Sequence, residues 1–376
     1  MRTWILMAIS LILTGIIDNR DRTLALQGTD RKEKLTTWIL IFVLAFACGL
    51  RTQGNDTITY IESYDYLTPT WQTLHKANIP PFAKGLGFFF LNVTLKTLGF
   101  STQNFLMFYA FLTIILYVLF VRRYSRSMTF GVFLMFTTGF YGFASAAIKQ
   151  CMATGICLTA LQYALDKKWW RYYLTVGVAS LFHPYAVIYF LAPLMLFKPL
   201  TNKTYIYMAI FILAGFLLDT LIGTVLDITD MMGATYNLET FSGEGVNAFR
   251  VAVSFVPLLL ALLCGKKLFE NSTQAEDLMF NLAMLNALIM FVGLFGTANF
   301  FARLANYFLP AQVIVLPWIL GKLHHEDKKW LVSACILGYL GYFFYENTMR
   351  QYRQAQFANA SYEYMSLWEY LSTLFK

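Results

Sequence analysis

A chain of 376 residues in which 58% are hydrophobic and only 13% are charged cannot cover itself with water-facing side chains, since soluble domains run nearer one-quarter charged. The net charge of +8 does not mark a nucleic-acid binder, because Lys and Arg stand in short clusters between apolar blocks, where the positive-inside rule places them. Apolar blocks recur from Trp4 to Tyr345 with no polar domain between them. This excludes a string of soluble domains and predicts an all-α polytopic membrane protein. The expected layout is one transmembrane domain over 1–345, outer loops near 51–101 and 226–247, and an extracytoplasmic tail over 346–376.

A spanning helix needs about 20 mostly apolar residues, with a lower limit near 17. Along the chain this gives about twelve spans, at 3–18, 35–51, 102–121, 128–146, 148–165, 171–183, 184–198, 204–225, 248–264, 278–296, 304–320 and 329–345. The first block, Trp4–Ile17, resembles a signal h-region, yet it lacks a small-x-small site and basic residues follow it; it is expected to remain as an anchor. Leu86–Phe100 follows the Ile79–Pro80–Pro81 breaker and is short, which predicts a re-entrant or interfacial helix on the outer side. Tyr172–Phe197 is short for two crossings, which predicts a tight pair meeting near His183–Pro184, with the proline ending the first helix. If both helices stop short of the outer surface, their meeting point lies in a cavity.

The basic clusters set the sides. They comprise Arg20, Arg22, Arg31, Lys32 and Lys34; Arg122, Arg123 and Arg126; Lys167, Lys168 and Arg171; Lys198 and Lys203; Lys266 and Lys267; and Lys322, Lys328 and Lys329. All fall on one face if two spans separate each from the next. That face is expected to be cytoplasmic, with both termini outside. The five cysteines (Cys48, Cys151, Cys157, Cys264, Cys335) sit in apolar blocks without CxxC spacing and read as small hydrophobes rather than metal ligands or a disulfide framework.

Charges near a span are costly unless paired or facing a water-filled cavity, so each is a functional candidate. The informative ones gather on the outer side. Arg51 ends the second span, and Asp56 and Tyr60 follow it; Lys149 and Gln150 begin the fifth. His183 sits at the tip of the tight pair, Arg250 begins the ninth span, and Arg303 begins the eleventh with Tyr307 one turn on. Plainer roles compete with these. Arg51 and Lys149 also fit cations snorkelling to headgroups, Asp56 before Thr57 fits a turn or helix cap, and His183 fits a corner residue bonded to a carbonyl. Arg303 has no acidic residue within ten positions and needs an anionic partner from elsewhere or from a ligand. His324–His325 among Glu326, Asp327 and Lys328 reads as a solvated loop. Several outward cations facing one cavity suggest a diphosphate. With no phosphate loop in the sequence and no nucleotide sugars outside the cell, a lipid-linked diphosphate fits both constraints.

The segment Gly49-Leu-Arg51-Thr-Gln-Gly54-Asn-Asp56-Thr-Ile-Thr-Tyr60 resembles the N-terminal signature of the EpsG family of Wzy-like bacterial polysaccharide polymerases. Three later segments agree in order. Ala147-Ile-Lys149-Gln150-Cys-Met-Ala153 resembles the family's Arg-Gln helix start, Ser180-Leu-Phe182-His183-Pro184-Tyr-Ala186 its Phe-His hairpin, and Ala302-Arg303-Leu-Ala-Asn-Tyr307-Phe308 its Arg-x-x-x-Tyr-Phe element. Two departures stand out. Lys149 replaces the usual Arg, which keeps the charge but not bidentate recognition, and Lys84-Gly85-Leu86-Gly87-Phe88 lacks the Glu that often precedes the Gly-aromatic pair.

The resemblance implies a GT-C-like helical protein of the bacterial cytoplasmic membrane with its active site facing outward. It would polymerise lipid-linked repeat units by passing a glycan from undecaprenyl diphosphate to the non-reducing end of another unit, with inversion and without metal or cofactor. Arg51, Lys149 and Arg303 would hold the diphosphate, and Asp56 or His183 would accept the proton of the attacking hydroxyl. Tyr60, Gln150, Arg250 and Tyr307 complete the expected substrate site. Implied partners are undecaprenyl-diphosphate-linked oligosaccharide, membrane lipid, a chain-length regulator and other assembly proteins, with no nucleic acid. Two rivals stand beside this reading: another glycosyltransferase or ligase with a polyprenyl-linked donor, and a lipid-linked glycan flippase or exporter. A transporter should show repeated halves and charges along a transbilayer path; the sequence shows no repeat, and its candidate charges cluster on one face.

Overall fold

The computed structural model describes residues 3–26, 35–54, 56–67, 70–76, 79–231, 245–323, 325–356 and 363–374. The part of the expected second outer loop at 232–244, the linker at 357–362 and the His324–His325 side chains lie outside the described residues. The chain is helical almost throughout: α1 Thr3–Leu26, α2 Leu35–Gly49, α3 Thr57–Asp65, α4 Leu86–Thr97, α5 Thr102–Tyr124, α6 Met128–Thr137, α7 Phe140–Ala146, α8 Ile148–Leu165 and α9 Trp169–Phe182. There follow a 3-10 helix Pro184–Met195, then α10 Asn202–Phe216, α11 Leu218–Met231, α12 Ala248–Cys264, α13 Gln274–Val292, α14 Ala298–Ala305, α15 Leu309–Lys322, α16 His325–Gln356 and α17 Leu367–Leu374. A short antiparallel ladder, in which β1 Arg51–Gln53 pairs with β2 Glu363–Tyr364, has no counterpart in the sequence pattern.

Thr3–Asp21, α5 and α13 are each long and apolar enough to cross a bilayer, and α6 with α7 makes a pair bent by 53°. The outward face of α1 carries Ile5, Ile9, Ile12 and Ile16, all exposed, while Leu6, Ser10, Thr14 and Ile17 are buried. An exposed isoleucine stripe at helical spacing is the surface a lipid environment accepts and water does not. α13 is the hub; it packs on α10, α12, α14 and α15 and is buried along nearly its whole length.

Several expected spans are shorter or broken. α4, expected as a re-entrant or interfacial helix and not as a span, has 12 residues and reaches about 18 Å, too short to cross roughly 30 Å of hydrocarbon; it packs on α9. The expected pair at 171–198 is one α-helix followed by a 3-10 helix, with Pro184 at its start and Pro193 inside it. Each proline removes a backbone donor, and the 14 residues of α9 extend only about 21 Å. The apolar run at 304–320 breaks at Asn306–Phe308 between α14 and α15. α16 runs unbroken through Glu346, beyond the expected end of the transmembrane domain at 345.

Among the described residues, Arg20, Arg122, Arg126, Lys198 and Lys322, drawn from four of the basic clusters, lie at one end of the bundle. Arg122 forms a buried ion pair with Asp21, and Asp18 accepts hydrogen bonds from the backbone of Met128 and Thr129 at the start of α6. Arg126 pairs with Glu276 at 2.8 Å, Lys198 with Asp277 at 3.4 Å, and Lys322 donates to the Leu268 carbonyl at 2.9 Å. α2 runs away from this end, where Arg20 bonds Thr36, and finishes at Gly49, two residues before Arg51. The helix breaks near residues 138, 147, 183 and 306 are gathered at the opposite end, where they line two cavities. Irregular backbone at membrane depth is tolerated in such places.

Candidate active site

The smaller cavity, of about 310 Å³, is built from five chain segments. The start of α3 brings Asp56 and Tyr60, the 3-10 turn before α4 brings Lys84 and Gly85, the start of α8 brings Lys149 and Gln150, the end of α9 brings His183, and α14 brings Arg303. Two glycines allow this convergence. Gly85 has φ +82°, and a Cβ there would lie 2.7 Å from the Phe182 carbonyl oxygen. A Cβ on Gly87 would lie 2.8 Å from that of Leu181. Only glycine lets the head of α4 close on the His183 corner.

Lys149, Gln150 and His183 are held from behind. Lys149 Nζ donates to the Lys84 carbonyl at 3.2 Å and lies 4.9 Å over the Phe88 ring. Gln150 is buried, and its Nε2 donates to the Arg303 carbonyl at 2.5 Å, which ties α8 to α14. His183 Nδ1 shares a hydrogen bond of 2.8 Å with the Tyr307 hydroxyl, and the Tyr307 carbonyl accepts from Tyr189 at 2.8 Å. That bond fixes the imidazole plane and leaves Nε2 as the nitrogen available to a ligand. Burial, reinforced by the Asp56 charge, pushes the Tyr60 phenol well above its ordinary value, so it stays a neutral hydroxyl. Arg303 and Asp56 lie 3.9 Å apart, each side chain a little under half exposed. The partner that Arg303 lacks in the sequence is therefore supplied across the fold, with both charges still open to the cavity.

The larger cavity, of about 680 Å³, lies beside the first, and Asp56, Ala147 and Arg303 belong to both walls. Both volumes fall within the roughly 300–1,000 Å³ of small-molecule sites. Arg250 lines the larger one, but it is paired side-on with Glu346, Nε to Oε1 at 2.7 Å and Nη2 to Oε2. Asn247 donates to the Tyr345 hydroxyl at 2.8 Å. Gln312 Nε2 donates to Asn286 Oδ1 at 2.7 Å, and Asn286 donates to the Ala305 carbonyl at 2.7 Å.

Thus Asp56, Tyr60, Lys149, Gln150, His183 and Arg303 share one cavity, Tyr307 stands directly behind it, and Arg250 lies in its neighbour. Arg51 lines neither. It is 1% exposed; its Nη1 donates to the Cys48 carbonyl at 2.6 Å and its Nε to Thr57 Oγ1 at 3.2 Å. It fastens the turn that presents Asp56. Sequence reasoning missed Glu346, Asn286 and Gln312. Polar amides inside apolar spans are a readable signal, but a reading by charge alone passes over them.

A family model described as the EpsG family matches residues 34–366, which include every candidate residue named above. No curated protein and no solved structure matches the chain.

Proposed function

Since the chain belongs to the EpsG family, which is related to Wzy-like polysaccharide polymerases, we propose that it joins lipid-linked oligosaccharide repeat units at the junction of its two cavities. The observation that carries this reading is the sharing of Asp56 and Arg303 by both walls. A glycosyl transfer between two large substrates needs two seats and a reacting point between them.

The smaller cavity receives the donor diphosphate. Lys149, Lys84 and Arg303 supply three cations against the Asp56 carboxylate, and Tyr60 and His183 add hydrogen bonds to phosphate oxygens. The acceptor sugar approaches through the larger cavity. Its hydroxyl oxygen attacks the anomeric carbon as the bond from that carbon to the phosphate oxygen breaks. The hydroxyl proton passes to Asp56, and the lipid diphosphate leaves with its new charge held by Arg303 and Lys149. One displacement inverts the anomeric centre. Asp56 is favoured as the base over His183 because it faces both cavities, whereas His183 faces only the donor side. The site end lies opposite the basic clusters, so the positive-inside rule turns it to the exterior, where the lipid carrier presents the glycan.

The test is direct. Purified chain given its lipid-linked repeat unit should produce a ladder of longer glycans, and Arg303→Ala should abolish it. A full ladder from Arg303→Ala would remove the site, and a single transfer product in place of a ladder would make the protein a ligase.

A further inference from the structure

The charged residues lining the larger cavity are Asp56, Arg303, Arg250 and Glu346, two of each sign. Arg250 and Glu346 satisfy each other through two parallel hydrogen bonds, the strongest geometry available to such a pair. The remaining polar surface is uncharged and includes the amides of Asn247, Asn286 and Gln312, the Ser254 hydroxyl, and the phenols of Tyr342 and Tyr345. Amides and hydroxyls set among aromatic walls match the alternating hydroxyl groups and apolar faces of a sugar ring.

We propose that the larger cavity binds an uncharged sugar as the acceptor end of the glycan, and that the Arg250–Glu346 pair is what keeps acidic sugars out. This rests on the polymerase reading above. A uronic acid carboxylate placed here meets Glu346 directly. To gain Arg250 it must displace Glu346, leaving that carboxylate without its partner. Arg303 is not a substitute, because it is shared with the donor side and already faces Asp56. A neutral sugar meets no such cost. Glu346 is thereby a specificity-determining residue, placed where α16 runs past the expected last span at 329–345 into what the sequence pattern assigns to an outer tail.

The experiment measures binding of methyl glucoside, methyl galactoside and methyl N-acetylglucosaminide against methyl glucuronide and methyl galacturonide, by saturation-transfer NMR on the detergent-purified full chain. The neutral glycosides should bind at least about tenfold better than the uronides. Glu346→Gln, which frees Arg250, should cut that ratio by about tenfold or invert it. The double variant Arg250→Gln/Glu346→Gln should restore the neutral preference. Equal or better uronide binding to the unaltered chain overturns the proposal, as does failure to bind any of the five probes. So does an unchanged ratio in a helical, monodisperse Glu346→Gln protein; if that variant does not fold, the ratio in the unaltered chain decides alone. A ladder that depends on Arg303 together with indifference to sugar charge removes this inference and leaves the polymerase. Sugar discrimination without any ladder removes the polymerase and leaves the seat.

Discussion

Around the smaller cavity three cations face one carboxylate, whereas around its larger neighbour the charges cancel. The two share a wall at Asp56, Ala147 and Arg303 and differ mainly in where their charges are spent. Lys149 is backed by a neutral carbonyl and a ring, and Arg303 stands half-exposed beside Asp56, so both keep charge for a ligand. Arg250 is neutralised on its own wall by Glu346. Two arginines, Arg250 in the first turn of α12 and Arg303 in the last turn of α14, thus have opposite uses, and the difference teaches that the partner behind a cation decides whether it recognises an anion. An imbalance beside a balance, joined at Asp56 and Arg303, suits a reaction in which one substrate brings a diphosphate and the other a hydroxyl.

The comparison breaks most visibly at the junction. Asp56→Asn keeps the shape of both walls and removes the carboxylate proposed as proton acceptor; the ladder rate should fall about 10²–10⁴-fold, read by gel separation of the glycans. If Asp56→Asn is fully active and His183→Gln is dead, the base lies on the donor side and the junction argument fails. Arg303→Ala should cost about 10²–10³-fold in turnover, with Arg303→Lys recovering part of it because the charge returns without the guanidinium fork.

Away from the junction, the effects shrink. Lys149→Ala should lower turnover by about 10–10²-fold, the worth of one charge-assisted hydrogen bond at roughly 1.5–3 kcal/mol. Lys149→Arg should match or exceed the parent. Arg51→Gln should act chiefly on stability. Its hydrogen bonds to Cys48 and Thr57 belong to the same roughly 1.5–3 kcal/mol class, so the detergent melting temperature should drop while KM for the lipid-linked unit stays within about threefold. A large rise in KM with unchanged melting would return Arg51 to the donor site.

Arg51 also shows where the sequence stops being informative. Arg51 and Arg303 both border apolar blocks and both stand in segments resembling family motifs; nothing local tells them apart. The distinction comes from the far end of the chain. β2 pairs with β1 at Arg51, and Met365 donates to the Leu50 carbonyl at 2.8 Å. The turn that buries Arg51 is therefore closed by a segment that no local pattern connects to it. That α1 and α13 are apolar helices of spanning length was legible, because length and composition alone report it; which face of α1 is exposed and how deeply α13 is buried came only from the fold. The turn at His183 was legible too, since Pro184 breaks a helix. The breaks at Gly139 and Asn306 went unread because the flanking runs are long enough to span, although a local signal stands at each: Gly139 takes a φ of +80°, and Pro310 sits in the first turn of α15.

The smallest effect is the most discriminating one. Arg250→Gln/Glu346→Gln replaces an ion pair by two amides of nearly the same shape that can still hydrogen-bond across the cavity. Exchanging a whole pair for a matched neutral one is often close to neutral in energy, whereas removing one member leaves an unpaired charge. If the larger cavity works by being uncharged, the double variant should make ladders at a rate within about threefold of the parent. Glu346→Gln alone should be slower than the double variant, because only the single change puts a free guanidinium where a neutral sugar must lie. If instead Arg250 reads an anionic group of the substrate, the order reverses: the single variant, with Arg250 released, runs faster, and the double variant fails. The ranking of these two proteins in one ladder assay therefore separates a balanced sugar seat from a second anion site, with neither variant touching the residues at the junction.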